Sequence, residues 1–182
     1  MMTAVRALPH DGDWTVDDLR DLPDDGLQYE LADGVLLVSP APRPAHQRAV
    51  GRLHLALAAA CPPELEVFLA PLDYQPTRRR SLQPDLLVVS RTDVGEAAIE
   101  RPLLLAVEVL SPSTRTKDLL VKRALYQDSG VGAMWVVDLD DPSITGWVLR
   151  AGRWSGEQRA VGQQQFVATS PFPVTVVPAS LA

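Results

Sequence analysis

Two carboxylates stand where the chain gives them little reason to be. Asp85 follows Pro84 at the start of a short apolar run, and Glu108 lies inside Leu103-Leu104-Leu105-Ala106-Val107-Glu108-Val109-Leu110. A charge within so apolar a strand is costly to bury unless it is paired or bound to a metal. If the two strands are neighbours, both carboxylates can converge on one hard cation with oxygen ligands. A salt bridge to a nearby Lys or Arg would satisfy Glu108 equally well. Lys122, in the helix expected after the Glu108 strand, could bring an ammonium over that glutamate and orient or polarise a water beside a metal. Alternatively it pairs with Asp118 at i, i+4 on a solvated helix face, contributing roughly a few tenths of a kcal/mol.

Glu30 sits between Tyr29 and Leu31, and strand alternation allows it to face the same cleft, where it could bind a second metal or position a water. An edge-strand surface carboxylate is the competing reading. His46 begins the long helix after a proline-rich segment, either as an accessory group contacting phosphate or supporting the ligands, or as a polar residue of the first turn. His10 and His54 have no spacing that makes a zinc cluster with Cys61. Gly-rich phosphate loops, a Gly-x-Ser-x-Gly elbow and a Cys-His pairing are all missing from the sequence. Aromatic residues amount to 5%, too few to suggest a base-stacking platform.

The elements that must position these groups follow from pattern. Trp14 to Leu22 predicts a short helix, with Thr15 as N-cap and Asp17 and Asp18 in its first turn. Leu27–Leu31 and Val35–Ser39, joined through Ala32-Asp33-Gly34, predict a hairpin. Pro40, Pro42 and Pro44 predict an extended connection. Val50, Leu53, Leu57 and Cys61 mark one face of a helix over about 45–60, ended by Pro62-Pro63. Strands are expected at 65–71, 86–89, 103–110, 134–139 and 144–149, the third nearly continuous in apolar residues, as for a strand buried on both faces. Residues 77–81 read as a polar, arginine-rich loop, and 111–114 as a turn rich in N-cap residues. A helix over 118–127 follows, with Gly130 beyond its end. Residues 153–165 read as a variable excursion, and 166–177 carry weak strand signals. The expectation is one α/β domain over 1–182, with its core at about 14–150 and a variable part at 151–182: a mixed β-sheet with flanking helices and an N-terminal β-hairpin.

The bulk numbers fit that expectation. A chain of 182 residues, 46% hydrophobic and 22% charged, has the profile of an ordinary globular protein. With no apolar run near the roughly 20 residues that cross a bilayer, and no secretory signal, a cytoplasmic protein without membrane contact is expected. The single Cys61, among alanines, suggests a small buried hydrophobe. The net charge of −6 argues against a broad basic footprint for nucleic acid. Local positive charge comes from Arg78-Arg79-Arg80 and from scattered arginines such as Arg43, Arg115 and Arg123. A site built of carboxylates and bound cations can nonetheless reverse the local field.

A series of short matches in order carries a family resemblance. They are Tyr29-Glu30-Leu31 with Asp33-Gly34, then His46, Pro84-Asp85 and Glu108-Val109-Leu110-Ser111-Pro112-Ser113-Thr114. Asp118, Lys122, Tyr126, Gly130-Val131 and Trp135-Val136-Val137-Asp138 complete the series. Over roughly Trp14 to Trp147 the sequence resembles the Uma-two family of restriction-endonuclease-like proteins, within the PD-(D/E)XK nuclease superfamily. The resemblance implies a restriction-endonuclease-like core, with Asp85 and Glu108 as metal ligands, the Val109 main-chain carbonyl as a further ligand and Glu30 in support. It departs from the superfamily pattern at Leu110, where a lysine is expected. In this family the lysine is displaced to the following helix, here Lys122. The leading expectation is therefore a Mg2+- or Mn2+-dependent endonuclease acting on DNA, working as a homodimer through an exposed apolar strand near the C-terminus. A non-catalytic binding or assembly module and a hydrolase of a small phosphodiester are the alternatives.

Overall fold

Strand alternation sorts the centre of the chain onto two faces of one sheet. The computed structural model describes residues 12–110 and 117–181. A short helix α1 (Val16–Leu19) precedes the hairpin β1 (Gln28–Ala32) and β2 (Val35–Ser39), and the long helix α2 spans Pro44–Ala60. Four strands follow: β3 (Leu65–Leu69), β4 (Tyr74–Thr77), β5 (Arg80–Leu82) and β6 (Leu86–Ser90). Next come β7 (Leu105–Val109), the helix α3 (Lys117–Asp128), β8 (Ala133–Asp138), β9 (Ser143–Arg150) and β10 (Arg153–Val161). A ribbon of β11 (Phe166–Ala168) and β12 (Val174–Val176) closes the chain. The main sheet runs β10-β9-β8-β7-β6-β3, with β7 and β8 parallel and the other neighbours antiparallel. A smaller sheet runs β2-β1-β5-β4. The mixed sheet, flanking helices and N-terminal hairpin are those expected.

On one face of the main sheet, Leu86, Val88, Leu105, Val107, Val109, Trp135 and Val137 pack against Val50, Leu53 and Leu57 of α2. The alternate residues Leu87, Val89, Ala106, Met134 and Val136 pack on the other face against Leu125 and Tyr126 of α3. β7 is buried along its whole length, as its continuous apolar run predicts. The β1–β2 turn places Asp33 at φ 51° and Gly34 at φ 89°, the doubly left-handed geometry for which Asp-Gly is suited. Pro44 is not part of an extended linker. It starts α2, where its missing N–H costs nothing.

Several other expectations change. α1 is confined to Val16–Leu19, although Thr15 and Asp18 do cap it, with Thr15 N–H donating to Asp18 Oδ2 at 2.7 Å. The supposed arginine-rich loop is the β4–β5 hairpin, with Arg80 and Ser81 buried. Its polarity hid it, because one of its inward residues is an arginine. The supposed excursion at 153–165 contains β10, a mostly exposed edge strand paired along β9, so its residues show no apolar signal. Phe166, Ala168, Val174 and Val176 of the C-terminal ribbon are buried in the α2-side core, while Val167 between them is exposed. Cys61 is half-buried beside the same core rather than fully enclosed. None of the described helices is long and apolar enough to cross a membrane.

Candidate active site

Alternation along β7 sends Leu105, Val107 and Val109 into the α2-side core and turns Ala106 and Glu108 toward α3. Glu108 is only 9% exposed. Its Oε1 accepts the Tyr126 hydroxyl at 2.6 Å and lies 3.2 Å from Lys122 Nζ. Lys122 and Tyr126 are one turn apart on α3, so the same helix face delivers both. The Lys122 ammonium also lies 2.9 Å from Glu30 Oε1. That same Glu30 oxygen accepts the Gln83 main-chain N–H at 2.7 Å. Glu30 is thus a buried residue of β1, not a surface carboxylate, and Lys122 bridges two buried glutamates.

Asp85 arrives from the next strand. The antiparallel register pairs Leu86 with Val107, which places the residue before β6 beside the end of β7. Asp85 Oδ2 accepts the Val109 N–H at 2.7 Å and stands 3.3 Å from His46 Nε2. The same histidine nitrogen is 3.0 Å from the Val109 carbonyl oxygen. His46, in the first turn of α2, is therefore directed at Asp85 and at the end of β7. His46 Nδ1 is buried and has no hydrogen-bond partner among the described residues. The side chain of Asp118 lies outside the described residues.

Electrostatics follow from burial and from this crowding. Desolvation lifts the Glu108 carboxyl to about 7, against the pull of the Lys122 ammonium. Asp85 and Glu30 add to the rise, and the Tyr126 hydroxyl opposes it. Burial lowers the Lys122 pKa, but the charges of Glu108 and Glu30 more than offset it, and the ammonium is held well above its ordinary range. Burial likewise lowers His46, while Asp85, the Val109 carbonyl and Glu108 together hold it above its usual value. Tyr126 is pushed up by burial and by the neighbouring carboxylates. Lys122 is thus held as an ammonium between Glu30 and Glu108.

Asp85 opens onto a cleft of about 510 Å³, whose polar lining includes Gln28, Gln47, Asp73 and Gln83. Among the described residues, no Lys or Arg lines it. The arginine triplet does not supply the missing charge. Arg78 pairs with Asp17, Arg79 with Asp13 and Arg80 with Asp33. Arg123 lies over the Trp147 ring, 4.3 Å from its centroid.

Of the residues proposed from sequence, Glu30, His46, Asp85, Glu108, Val109 and Lys122 come together around the end of β7. Tyr126 and Gln83 join them without having been assigned a role. The i, i+4 spacing of Lys122 and Tyr126 could have signalled the first, whereas a main-chain donor such as Gln83 leaves no trace in residue type. Among the described residues, no three His, Cys, Asp or Glu side chains converge as a ready-made metal cluster. Asp85 and the Val109 carbonyl do offer oxygen donors suited to a hard divalent cation, with Glu108 beside them.

The chain has counterparts among known proteins in sequence family and in fold. The Uma2 family model, described as "Putative restriction endonuclease", matches residues 16–180, well past the Trp147 limit of the sequence resemblance. A crystal structure from Anabaena variabilis, described as "a putative nuclease belonging to DUF820", shares the fold at a TM-score of 0.67 and 17% identity. The match covers 86% of this chain and 89% of that one. No curated protein matches the chain.

Proposed function

The chain belongs to the Uma2 family, a family of nuclease-like fold, and on that premise we propose that it is an endonuclease hydrolysing DNA phosphodiesters with bound Mg2+ or Mn2+. The observation that carries the reading is the meeting of Asp85, the Val109 carbonyl, Glu108 and Lys122 at one end of β7. Asp85, Glu108 and the Val109 carbonyl would hold the cation, which when bound polarises the phosphate and supplies a water acidic enough to attack. Lys122, fixed in its charged form, donates toward the water or the developing phosphorane charge. Glu30 and Tyr126 hold Lys122 and Glu108 in register. The cleft beside Asp85 would admit the scissile segment. Among the described residues no basic side chain lines it, and the cation and Lys122 would meet the phosphate there.

Supercoiled plasmid with Mg2+ or Mn2+ tests the proposal. Asp85→Ala and Glu108→Ala are each expected to lower cleavage at least about a hundredfold, the scale of losing one preorganised electrostatic group. Calorimetry run alongside separates the alternatives. Metal binding without cleavage of any polymer points to a small phosphodiester, and no metal affinity at all removes both enzymatic readings. A homodimer would set two such sites on opposite strands. Light scattering giving a monomer mass on and off DNA would remove that part.

A further inference from the structure

His46 Nε2 stands within contact distance of two oxygens at once, one from a side chain and one from the main chain. It lies 3.0 Å from the Val109 carbonyl oxygen and 3.3 Å from Asp85 Oδ2. A ring nitrogen carries one hydrogen at most, yet here it faces two acceptors, and that Asp85 oxygen also accepts the Val109 N–H at 2.7 Å. Among the described residues, none partners the buried Nδ1 to fix the tautomer. The spacings have another meaning. Two donors at right angles around a cation, with bonds of about 2.1–2.2 Å, stand about 3.0–3.1 Å apart. His46 Nε2 is thus separated from both oxygens by nearly the edge length of a coordination octahedron.

We infer that His46 Nε2 is itself a ligand of the divalent cation, forming one face of its coordination shell with Asp85 Oδ2 and the Val109 carbonyl. The inference rests on the metal-dependent reading above and extends it. Burial of the ring in the first turn of α2, between the helix and the end of β7, fixes the nitrogen in place before any cation arrives. It also makes the site mixed in nitrogen and oxygen. Mg2+ prefers an all-oxygen shell with retained waters, whereas Mn2+, a first-row transition ion that takes the same oxygen donors, accepts an imidazole nitrogen more readily than Mg2+ does. The site therefore selects Mn2+ over Mg2+.

Mn2+ is both the probe and the spectroscopic reporter. Calorimetric titration of the full chain with Mn2+ and with Mg2+ is paired with pulsed electron paramagnetic resonance of the Mn2+ complex, in the wild type and in His46→Gln. The expected result is a directly coordinated 14N coupling in the wild type and its loss in the variant. Mn2+ affinity should fall at least about tenfold, with a smaller loss for Mg2+. Should His46→Gln fail to fold, a double variant of the other two histidines, His10→Gln with His54→Gln, should keep the coupling and assign it to His46 by elimination. Mn2+ binding without nitrogen coupling in the wild type would overturn the inference and leave the metal-dependent reading intact. So would coupling that survives in His46→Gln. Absence of any Mn2+ or Mg2+ affinity in the wild type would overturn both.

Discussion

Lys122 Nζ lies 2.9 Å from Glu30 Oε1, a contact that joins helix α3 to the first hairpin across the candidate site. Because the same ammonium also neutralises Glu108, its removal would leave two buried carboxylates facing each other. Breaking a buried pair by removing one partner costs about 3–5 kcal/mol. Lys122→Met should therefore lose stability on that scale in urea unfolding, less whatever protonation of a glutamate recovers. Cleavage should fall with it. A loss below about 1 kcal/mol would place this lysine among ordinary surface pairs.

Tyr126→Phe asks a narrower question. The hydroxyl donates to Glu108 Oε1 at 2.6 Å inside the protein and favours the charged carboxylate. Its deletion removes one hydrogen bond to a charged group, about 1.5–3 kcal/mol, and moves the Glu108 pKa further up. A metal ligand must be deprotonated, so the deficit in Mn2+ affinity should be larger at pH 6 than at pH 8. An equal deficit at both values would mean that Tyr126 acts through packing only.

The pH dependence of the wild type has two opposite signs. Glu108 is raised from 4.5 to about 7, so the fold favours its protonated form, and its contribution to stability is lost as pH rises through that interval. Lys122 is raised above 10.5, so its contribution is complete below that value and is lost only at higher pH. Metal binding, which needs the Glu108 carboxylate, strengthens across the same interval. The rise in melting temperature caused by Mn2+ should accordingly be larger at pH 7.5 than at pH 5.5. Thermal melts at the two pH values, with and without Mn2+, measure it directly. A metal-induced shift independent of pH would exclude Glu108 from the ligand set.

Much of this site was legible in the sequence because burial makes charge conspicuous. Glu108 in an unbroken apolar strand, and Asp85 at the mouth of another, announce themselves by their cost. The Asp33-Gly34 turn and the spacing of Val50, Leu53 and Leu57 likewise determine local structure with little outside help. Glu30 and His46 were ambiguous for a physical reason. Strand alternation and helix position allow two faces, and only the packing of β1 on β5 and of α2 on β7 selects one. β10 was illegible because an exposed edge strand needs no apolar pattern. The triplet Arg78-Arg79-Arg80 misled for a related reason: in sequence it is a basic patch, while its aspartate partners come from residues more than forty positions away.

Arg80 shows how differently three adjacent arginines can act. It is buried, donates to both oxygens of Asp33, and reaches the Leu125 carbonyl at 2.9 Å and Ser129 Oγ at 2.7 Å. It thereby ties the first hairpin turn to the C-terminal end of α3, the helix that carries Lys122 and Tyr126. Arg80→Ala would release the fork on Asp33 and take a buried donor from the Leu125 carbonyl and from Ser129 Oγ, a cost of about 2–4 kcal/mol. Arg80→Lys should recover little of it, because an ammonium cannot reproduce the planar donor set. The exposed pairs at Arg78 and Arg79 should each cost no more than about 1 kcal/mol on replacement by alanine. Denaturant unfolding of the four variants would show this order. If Arg78→Ala or Arg79→Ala proved nearly neutral for stability yet weakened DNA binding with a reduced salt slope, those arginines would belong to a nucleic-acid surface after all.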